Sequence, residues 1–130
     1  MLYDFLIRIH MNNMNFEQAD LTYLMDLSSG NTQLIREILE LFIKQTPPDI
    51  ELLASYIAAK DWEGAYKQAH HIKPTLAYVG ANHMRQEFQE IEDDAKHRQN
   101  VDAIAAKLTA LLPRLDVLYG ELKAYMKTLD

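Results

Sequence analysis

The chain has 130 residues, a formal net charge of −6 and no cysteine. This length is typical of a single domain, and the lack of cysteine excludes disulfides, thiolate catalysis and cysteine-ligated zinc. The negative charge disfavours binding to nucleic acid or to anionic membrane surfaces. No apolar run approaches the ~20 residues that a membrane span needs, and residues 1–10 lack the basic leader and cleavage site of a signal peptide. We therefore expect a cytoplasmic domain that binds neither nucleic acid nor membranes.

The first 15 residues have an ambiguous pattern. Four apolar residues at helical spacing could line a short helix: Leu2, Phe5, Leu6 and Ile9. The asparagine-rich stretch after them is typical of a loop, and the natural start of the protein could instead lie at Met11 or Met14. We treat residues 1–15 as an N-terminal extension and expect residues 16–130 to form one helical bundle domain.

A short helix is predicted next. Asp20 can accept a hydrogen bond from the backbone at its start, and the apolar pattern continues to Leu27. We expect Leu21, Leu24 and either Leu27 or Met25 to face the core.

Two helices are predicted between residues 31 and 60. Asn31 or Thr32 can cap the first of them, which should end near Gln45. The sequence Thr-Pro-Pro-Asp at 46–49 combines a capping residue with prolines suited to a first helical turn. It therefore predicts a stop followed at once by a second helix, which ends near Lys60.

Three further helices each carry an apolar stripe, and Asp61 and Asn100 are suited to cap the first and the last. Apolar residues recur every three or four positions and so lie on one side of each helix. The stripes are Trp62, Ala65, Ala69, Ile72, Leu76 and Val79; then Met84, Phe88, Ile91 and Ala95; then Val101, Ile104, Leu108, Leu111, Leu115, Leu118, Leu122, Tyr125 and Leu129. Pro113 should bend the last helix. We predict an all-α fold, an antiparallel four-helix bundle with an additional short N-terminal helix or helices.

Two adjacent histidines lie in the middle of the first of these three helices. At 100° per residue, His70 is about 130° from the centre of the apolar stripe and should project into solvent. Five residues are expected to share its side of the helix: Glu63, Tyr66, Lys67, Pro74 and Ala77. His71 also points away from the core, but towards Gln68, Thr75 and Tyr78.

An exposed histidine beside a lysine can take part in phosphoryl transfer. A neutral imidazole, with a pKa near ~6.5, is a nucleophile at pH 7 and can attack an activated phosphoryl group. The product carries about two negative charges, which a lysine one helical turn away can offset. Lys73 occupies that position for His70, whereas Pro74 occupies it for His71. The pattern therefore favours His70 as the reactive histidine.

Pro74 is unusual because it lies inside a predicted helix. It cannot donate to the carbonyl of His70 and costs about 3 kcal/mol in a regular helix. We predict a local bend or an opened carbonyl one turn from His70, and a compact surface that a second protein can approach. Gly80 is typical of a turn or of a close-packing position.

Other interpretations of these residues stay open. An exposed histidine is most often a solvated surface residue, and two adjacent histidines on a helix cannot both face one metal ion. His83 and His97 lie on another helix, so the pattern disfavours a metal site. The acidic run 90–94, apart from Ile91, is typical of a solvated helix face. No glycine-rich phosphate loop, GxSxG or HExxH motif is present, which disfavours an autonomous enzyme.

The stretch from His70 to Ala81 resembles the signature of histidine-containing phosphotransfer (HPt) domains. In this signature a histidine is followed by an aliphatic residue (Ile72), a lysine (Lys73) and, ten residues after the histidine, a glycine-alanine pair that begins at Gly80. The resemblance extends over about residues 20–110. Upstream it includes the segment 24–47, with its Ser-Ser-Gly-Asn turn.

Downstream of the histidines, Met84, Ile91 and Glu92 match further positions of the HPt family. Pro74 departs from the pattern, since the family more often has glycine there. This departure bears on the backbone beside His70 and on which receiver domains can dock.

The resemblance implies a four-helix bundle that carries phosphate between receiver-domain aspartates in a multistep phosphorelay. It implies that His70 is the phosphoacceptor, Lys73 the phosphate-side cation, Gly80 a close-approach glycine and Glu92 a residue facing the histidine. Gly80 and Glu92 thus join the five residues on the His70 side as candidate partner contacts. The implied partners are response-regulator receiver domains and a hybrid sensor histidine kinase.

The same resemblance implies a monomeric phosphoryl carrier without its own kinase activity or nucleotide site. It should need no cofactor of its own, because the receiver domain would supply Mg²⁺. The alternative is a helical bundle of the same scaffold that only binds a partner and is not phosphorylated. Pro74 is the residue that favours this alternative.

Overall fold

The structure is a computed structural model that describes residues 16–129. This part of the chain contains five helices and no strand. The helices are α1 (Thr22–Ser28), α2 (Thr32–Ala58), α3 (Trp62–Tyr78), α4 (Asn82–His97) and α5 (Val101–Lys127). The all-α prediction is confirmed. The expected extension, with its short helix or later start site, lies outside the described residues, so the domain boundary at residue 16 stays a prediction.

The four long helices form a closed ring of neighbours. α3 packs against α2 and α4, α5 packs against the same two helices, and the short α1 packs on α2. Links of three residues, at 59–61, 79–81 and 98–100, make successive helices antiparallel. The predicted four-helix bundle with an additional N-terminal helix is therefore confirmed. None of the described helices is long and apolar enough to cross a membrane.

The predicted apolar stripes form the core of the bundle. All predicted stripe residues from Ala65 to Val79 are buried, as are the four of α4 and those of α5 from Ile104 to Tyr125. Leu21, which directly precedes α1, is buried, as are Leu24 and Met25 within the helix, whereas 51% of Leu27 is exposed. Of the two alternatives for the third inward residue of this helix, Met25 is therefore correct.

Helix α2 corrects the prediction of two helices separated by a stop at 46–49. It runs unbroken through Pro47 and Pro48, which remove two intrahelical hydrogen bonds. The buried stripe crosses the prolines at unchanged helical spacing. It consists of Ile35, Leu39, Phe42, Thr46, Ile50, Leu53 and Ile57. Pro47 is only half-buried and Pro48 is exposed, so neither proline interrupts the stripe. Burial of the stripe outweighs the loss of the two hydrogen bonds.

The helix caps follow the sequence pattern in most places. The side chains of Asn31 and Asp61 accept hydrogen bonds from backbone amides at the starts of α2 and α3, and Asp20 accepts one from the amide of Thr22. Asn100 precedes α5 in the left-handed conformation without a side-chain cap. Helix α5 continues through the exposed Pro113, and a bend there stays a prediction.

A short segment ties the N-terminal side of the domain to two helices. We call residues 17–20 the N-terminal strap. The carboxylate of Glu121 on α5 accepts hydrogen bonds from three successive strap amides, with N–O distances of 2.9 Å at Gln18 and 3.0 Å at Ala19. The amide of Asp20 donates to the carbonyl of Val79 at 2.9 Å. The strap therefore bridges α5 and the end of α3.

The expectation that the acidic run on α4 forms a solvated face is wrong for two of its residues. Only 8% of Glu92 and 5% of Asp94 is exposed. Asp94 accepts hydrogen bonds from Lys107 at 2.8 Å and from Gln99 at 3.1 Å. Burial alone raises the pKa of Asp94, but these partners outweigh it and hold the pKa below its ordinary value. The basic partner lies on α5, so the α4 pattern alone could not indicate this pair.

Candidate functional site

His70 projects from α3 into solvent, as the helical wheel predicts. Its side chain is 72% exposed, and its Nδ1 atom lies 2.7 Å from Oε1 of Glu92 on α4. The ring is therefore accessible to a partner, while one nitrogen is held by the neighbouring helix.

Lys73 lies one turn after His70 and is bound to the same carboxylate. Its Nζ atom is 3.0 Å from Oε2 of Glu92 and also donates to the side chain of Gln89. Only 14% of the lysine side chain is exposed. Gln89 in turn donates to Glu92 and Asp93, each at 2.9 Å. The carboxylate of Glu92 thus contacts both His70 and Lys73.

The charge state of Glu92 follows from this environment. Burial by itself raises the pKa of the carboxyl group, because it disfavours the charged form. The hydrogen bond and the charge of Lys73, with the hydrogen bonds of His70 and Gln89, act in the opposite direction and prevail. The pKa of Glu92 therefore lies below its ordinary value, and the side chain is ionised at neutral pH.

An ionised Glu92 determines which ring nitrogen of His70 carries the proton. A carboxylate can only accept hydrogen bonds, so the Nδ1 atom that contacts it must carry the proton. In a neutral imidazole the lone pair is then on Nε2. The site thus holds an accessible imidazole in the tautomer that can attack an electrophile through Nε2.

The other candidate contacts flank His70 on α3. Glu63 and Lys67 are both exposed and form an ion pair of 3.1 Å. Tyr66 is half-buried, and the Nζ atom of Lys96 on α4 lies 6.0 Å from its ring centroid. Pairing of Tyr66 with Lys96, and of His70 with Glu92, gives the antiparallel register of α3 and α4.

Beyond His70, the same face leads to the end of α3. Pro74 is exposed and Ala77 half-buried. Ala77 and Gly80 line a surface depression together with Arg85. Helix α3 continues through Pro74 to Tyr78, and the carbonyl of His70 has no amide partner at residue 74 because proline lacks the N–H. The predicted bend stays a prediction.

His71 faces a different side of the bundle. Its Nε2 atom lies 3.5 Å from Oδ2 of Asp49 on α2. It contributes to the wall of a cavity of about 530 Å³ that includes Thr75 and Tyr78 and is bounded by α1, α2 and α3. His71 thus lies beside Thr75 and Tyr78, two of the three residues predicted near it. Its neighbour one turn later is Pro74, whereas His70 has Lys73.

Some features of the site are visible only in the structure. Gln89 and Lys96 were not predicted as site residues, and Glu92 was proposed only through the family resemblance. Their spacing of three and four residues around Glu92 on α4 places them on one face of that helix. Residues 16–129 contain no cluster of three or more potential metal ligands, and the expectation of no intrinsic cofactor stays a prediction.

Loss of the Glu92 charge should destabilise the fold. We expect Glu92→Gln to lower the free energy of unfolding by about 1–3 kcal/mol at pH 7, because the poorly exposed ammonium group of Lys73 loses its counter-charge. Urea denaturation of the wild type and the variant measures the difference. Glu90→Gln makes the same chemical change at a side chain that is 55% exposed, and it should have a much smaller effect.

The same variant should alter the response to acid. A depressed folded-state pKa stabilises the fold above the unfolded value of ~4.3, and this stabilisation is lost as the pH falls through the folded value. The stability difference between wild type and Glu92→Gln should therefore shrink on acidification below about pH 4. A difference that is absent at pH 7, or that grows on acidification, would contradict this assignment.

The chain matches the model of a known protein family. A family model described as "Hpt domain" matches residues 37–129, which include α3, α4, α5 and most of α2. This is more than half of the chain. No curated protein and no solved structure matches the chain.

Proposed function

Because the chain belongs to the Hpt domain family, whose members serve histidine phosphotransfer in phosphorelay signalling, we propose that His70 accepts the phosphoryl group and passes it on. The observation that carries this proposal is the contact between Nδ1 of His70 and the ionised Glu92. It leaves an exposed Nε2 with a lone pair on a ring that is held in place.

In the proposed reaction, Nε2 of His70 attacks the phosphorus of an aspartyl phosphate on a receiver domain. A P–N bond forms while the P–O bond to the aspartate breaks, and the aspartate leaves as a carboxylate. The ring gains positive charge in this step. Glu92 offsets that charge through the proton on Nδ1, at a contact of 2.7 Å.

The return transfer uses the same contact. With Nδ1 protonated, the imidazole is a good leaving group, and the phosphoryl group can move to an aspartate of a second receiver domain. The electrons of the P–N bond return to Nε2. Glu92 therefore serves both directions of transfer as a positioning residue for the ring, and Lys73 holds the carboxylate of Glu92 in place.

The partners in this proposal are receiver domains, with a hybrid sensor histidine kinase upstream. Mg²⁺ would belong to the receiver domain, and the chain itself would act as a carrier, monomeric and cytoplasmic. The surface around His70, which includes the exposed Pro74 and the half-buried Tyr66 and Ala77, is the proposed docking surface. Absence of a long side chain at Pro74 lets a partner approach Nε2 closely.

The test is a transfer experiment with a panel of phosphorylated receiver domains and the purified chain. We expect a label on the chain that is lost in acid and stable in alkali, as a phosphoramidate bond requires. ¹⁵N NMR of the labelled protein should place the phosphorus on Nε2. Receiver binding without any label would replace this proposal by the binding-module alternative, and a label on Nδ1 would contradict the role of Glu92.

A further inference from the structure

The cavity beside His71 has the size and lining of a small-molecule site. Its volume of about 530 Å³ lies within the range of about 300–1,000 Å³ that is typical of ligand pockets, which often lie between the helices of a bundle. Phe42 and Val79 line it with buried apolar side chains. Leu41 and Tyr78 also line it and are 59% and 41% exposed. Large apolar residues exposed around a concave surface are typical of a site that a ligand covers.

A threonine hydroxyl in the wall of this cavity is available to a ligand. Only 2% of Thr46 is exposed, and the residue lines the cavity. Within residues 16–129 its side chain forms no hydrogen bond, whereas the hydroxyl of Thr75, on the α3 side of the cavity, donates to the carbonyl of Ile72 at 2.6 Å. Since buried hydroxyl groups are usually hydrogen-bonded, Thr46 indicates where a polar group of a ligand would bind.

A carboxylate gives the cavity a preference for positive charge. Asp49 lines the cavity three residues after Thr46, on the same side of α2. In the part of the chain that the structure describes, no lysine or arginine lies within 4 Å of this carboxylate, and its ion-pair partner is His71 at 3.5 Å. Because the His71 side chain is 64% exposed, this pair is weak and leaves Asp49 able to bind a cation. The net charge of −6 also favours a cation over an anion.

We propose that this cavity binds a small apolar amine. The ammonium group of the ligand pairs with Asp49 and donates to the hydroxyl of Thr46, and its apolar body packs on Phe42 and Val79. The three helices around the cavity enclose a concave space, which suits a small molecule better than a flat protein surface. This inference does not depend on phosphoryl transfer, because the binding is non-covalent and involves neither His70 nor Glu92.

The test measures binding of three probes that share one apolar body and differ in charge. They are biphenyl-4-ylmethylamine, biphenyl-4-ylmethanol and biphenyl-4-carboxylate. In ¹H–¹⁵N NMR titrations, the amide signals of Thr46, Thr75 and Val79 should shift as each probe fills the cavity. We expect the amine to bind about fivefold more tightly than the alcohol, and the carboxylate to bind most weakly.

Variants of the two polar residues assign this preference to the cavity. Asp49→Asn should bind the amine no more tightly than the alcohol, while Asp102→Asn, the same change at an exposed residue of α5, should keep the preference. Continued binding of the alcohol shows that the cavity of Asp49→Asn is intact. Thr46→Val keeps the shape of the side chain without its hydroxyl, and it should weaken amine binding about three- to fivefold.

Three results would overturn the inference. They are absence of shifts at the cavity signals with all three probes, binding of the carboxylate as tight as that of the amine, and an unchanged preference for the amine in Asp49→Asn. Phosphoryl transfer to His70 is measured separately, so failure of the proposed function leaves this test unaffected.

Discussion

Substitution of His70 by glutamine should abolish phosphoryl acceptance, and substitution of His71 should not. Glutamine keeps a polar side chain of similar size but lacks a nucleophilic ring nitrogen. Because the side chain of His70 is 72% exposed, the variant should remain folded, and loss of the label can be attributed to chemistry. The measurement is the acid-labile label after incubation with a phosphorylated receiver domain.

His71→Gln is the matched control for this experiment. The two histidines are adjacent and similarly exposed, at 72% and 64%, but only His70 contacts Glu92. His71 instead lies 3.5 Å from Asp49, with no lysine beside it like Lys73. His71→Gln should therefore keep most of the wild-type labelling rate. Retention of label in His70→Gln, or its loss in His71→Gln alone, would move the acceptor site to the other ring.

The main features of the fold could be predicted from the sequence because the apolar stripes are local patterns. Three helices carry apolar residues at spacings of three and four, and these stripes became the core of the bundle almost without exception. Exposure of His70 follows from the same geometry, since a residue about 130° from the stripe cannot reach the core. Periodicity therefore predicted both the bundle and the direction of the His70 ring.

The prediction failed at the prolines of α2, where a local signal conflicts with a longer-range one. A Thr-Pro-Pro-Asp sequence is well suited to a helix start, but the apolar stripe keeps its register from Phe42 through Thr46 to Ile50. Each local signal is worth a few kcal/mol at most, whereas the stripe buries several large side chains. Greater weight for the continuous stripe would have predicted one helix.

The acidic residues of α4 could not be assigned from α4 alone. Glu92 and Asp94 are buried because each meets a lysine on a neighbouring helix, Lys73 on α3 and Lys107 on α5. A charge pattern along one helix does not report such partners. The pairing of Glu92 with His70 has a chemical consequence that the sequence pattern missed, because it places the proton on Nδ1 and leaves the lone pair on Nε2.

Two kinds of contact therefore stabilise the site. Buried apolar residues pack α3 against α4, and the hydrogen bond to Glu92 orients the ring of His70. A substitution at the end of α3 should weaken the packing without removing His70 or Glu92. Gly80 is the position where this disturbance should be largest.

Gly80→Ala should lower the free energy of unfolding by about 2–5 kcal/mol. The backbone at residue 80 has φ of +69°, a conformation that costs a residue with a side chain about 1–2 kcal/mol. A Cβ atom there would also lie 2.0 Å from the carbonyl oxygen of Asp20. This oxygen cannot easily move, because the neighbouring amide of Asp20 is bonded to Val79. The overpacking adds about 1–3 kcal/mol.

Gly120→Ala is the control for this prediction. Gly120 lies inside α5, and a Cβ atom built there meets no heavy atom within 4 Å. Alanine at that position should stabilise the protein by about 0.5–1 kcal/mol, because glycine is the weaker helix former. Urea denaturation at pH 7 compares both variants with the wild type. If Gly80→Ala were as stable as Gly120→Ala, the close contact between the N-terminal strap and the end of α3 would be wrong.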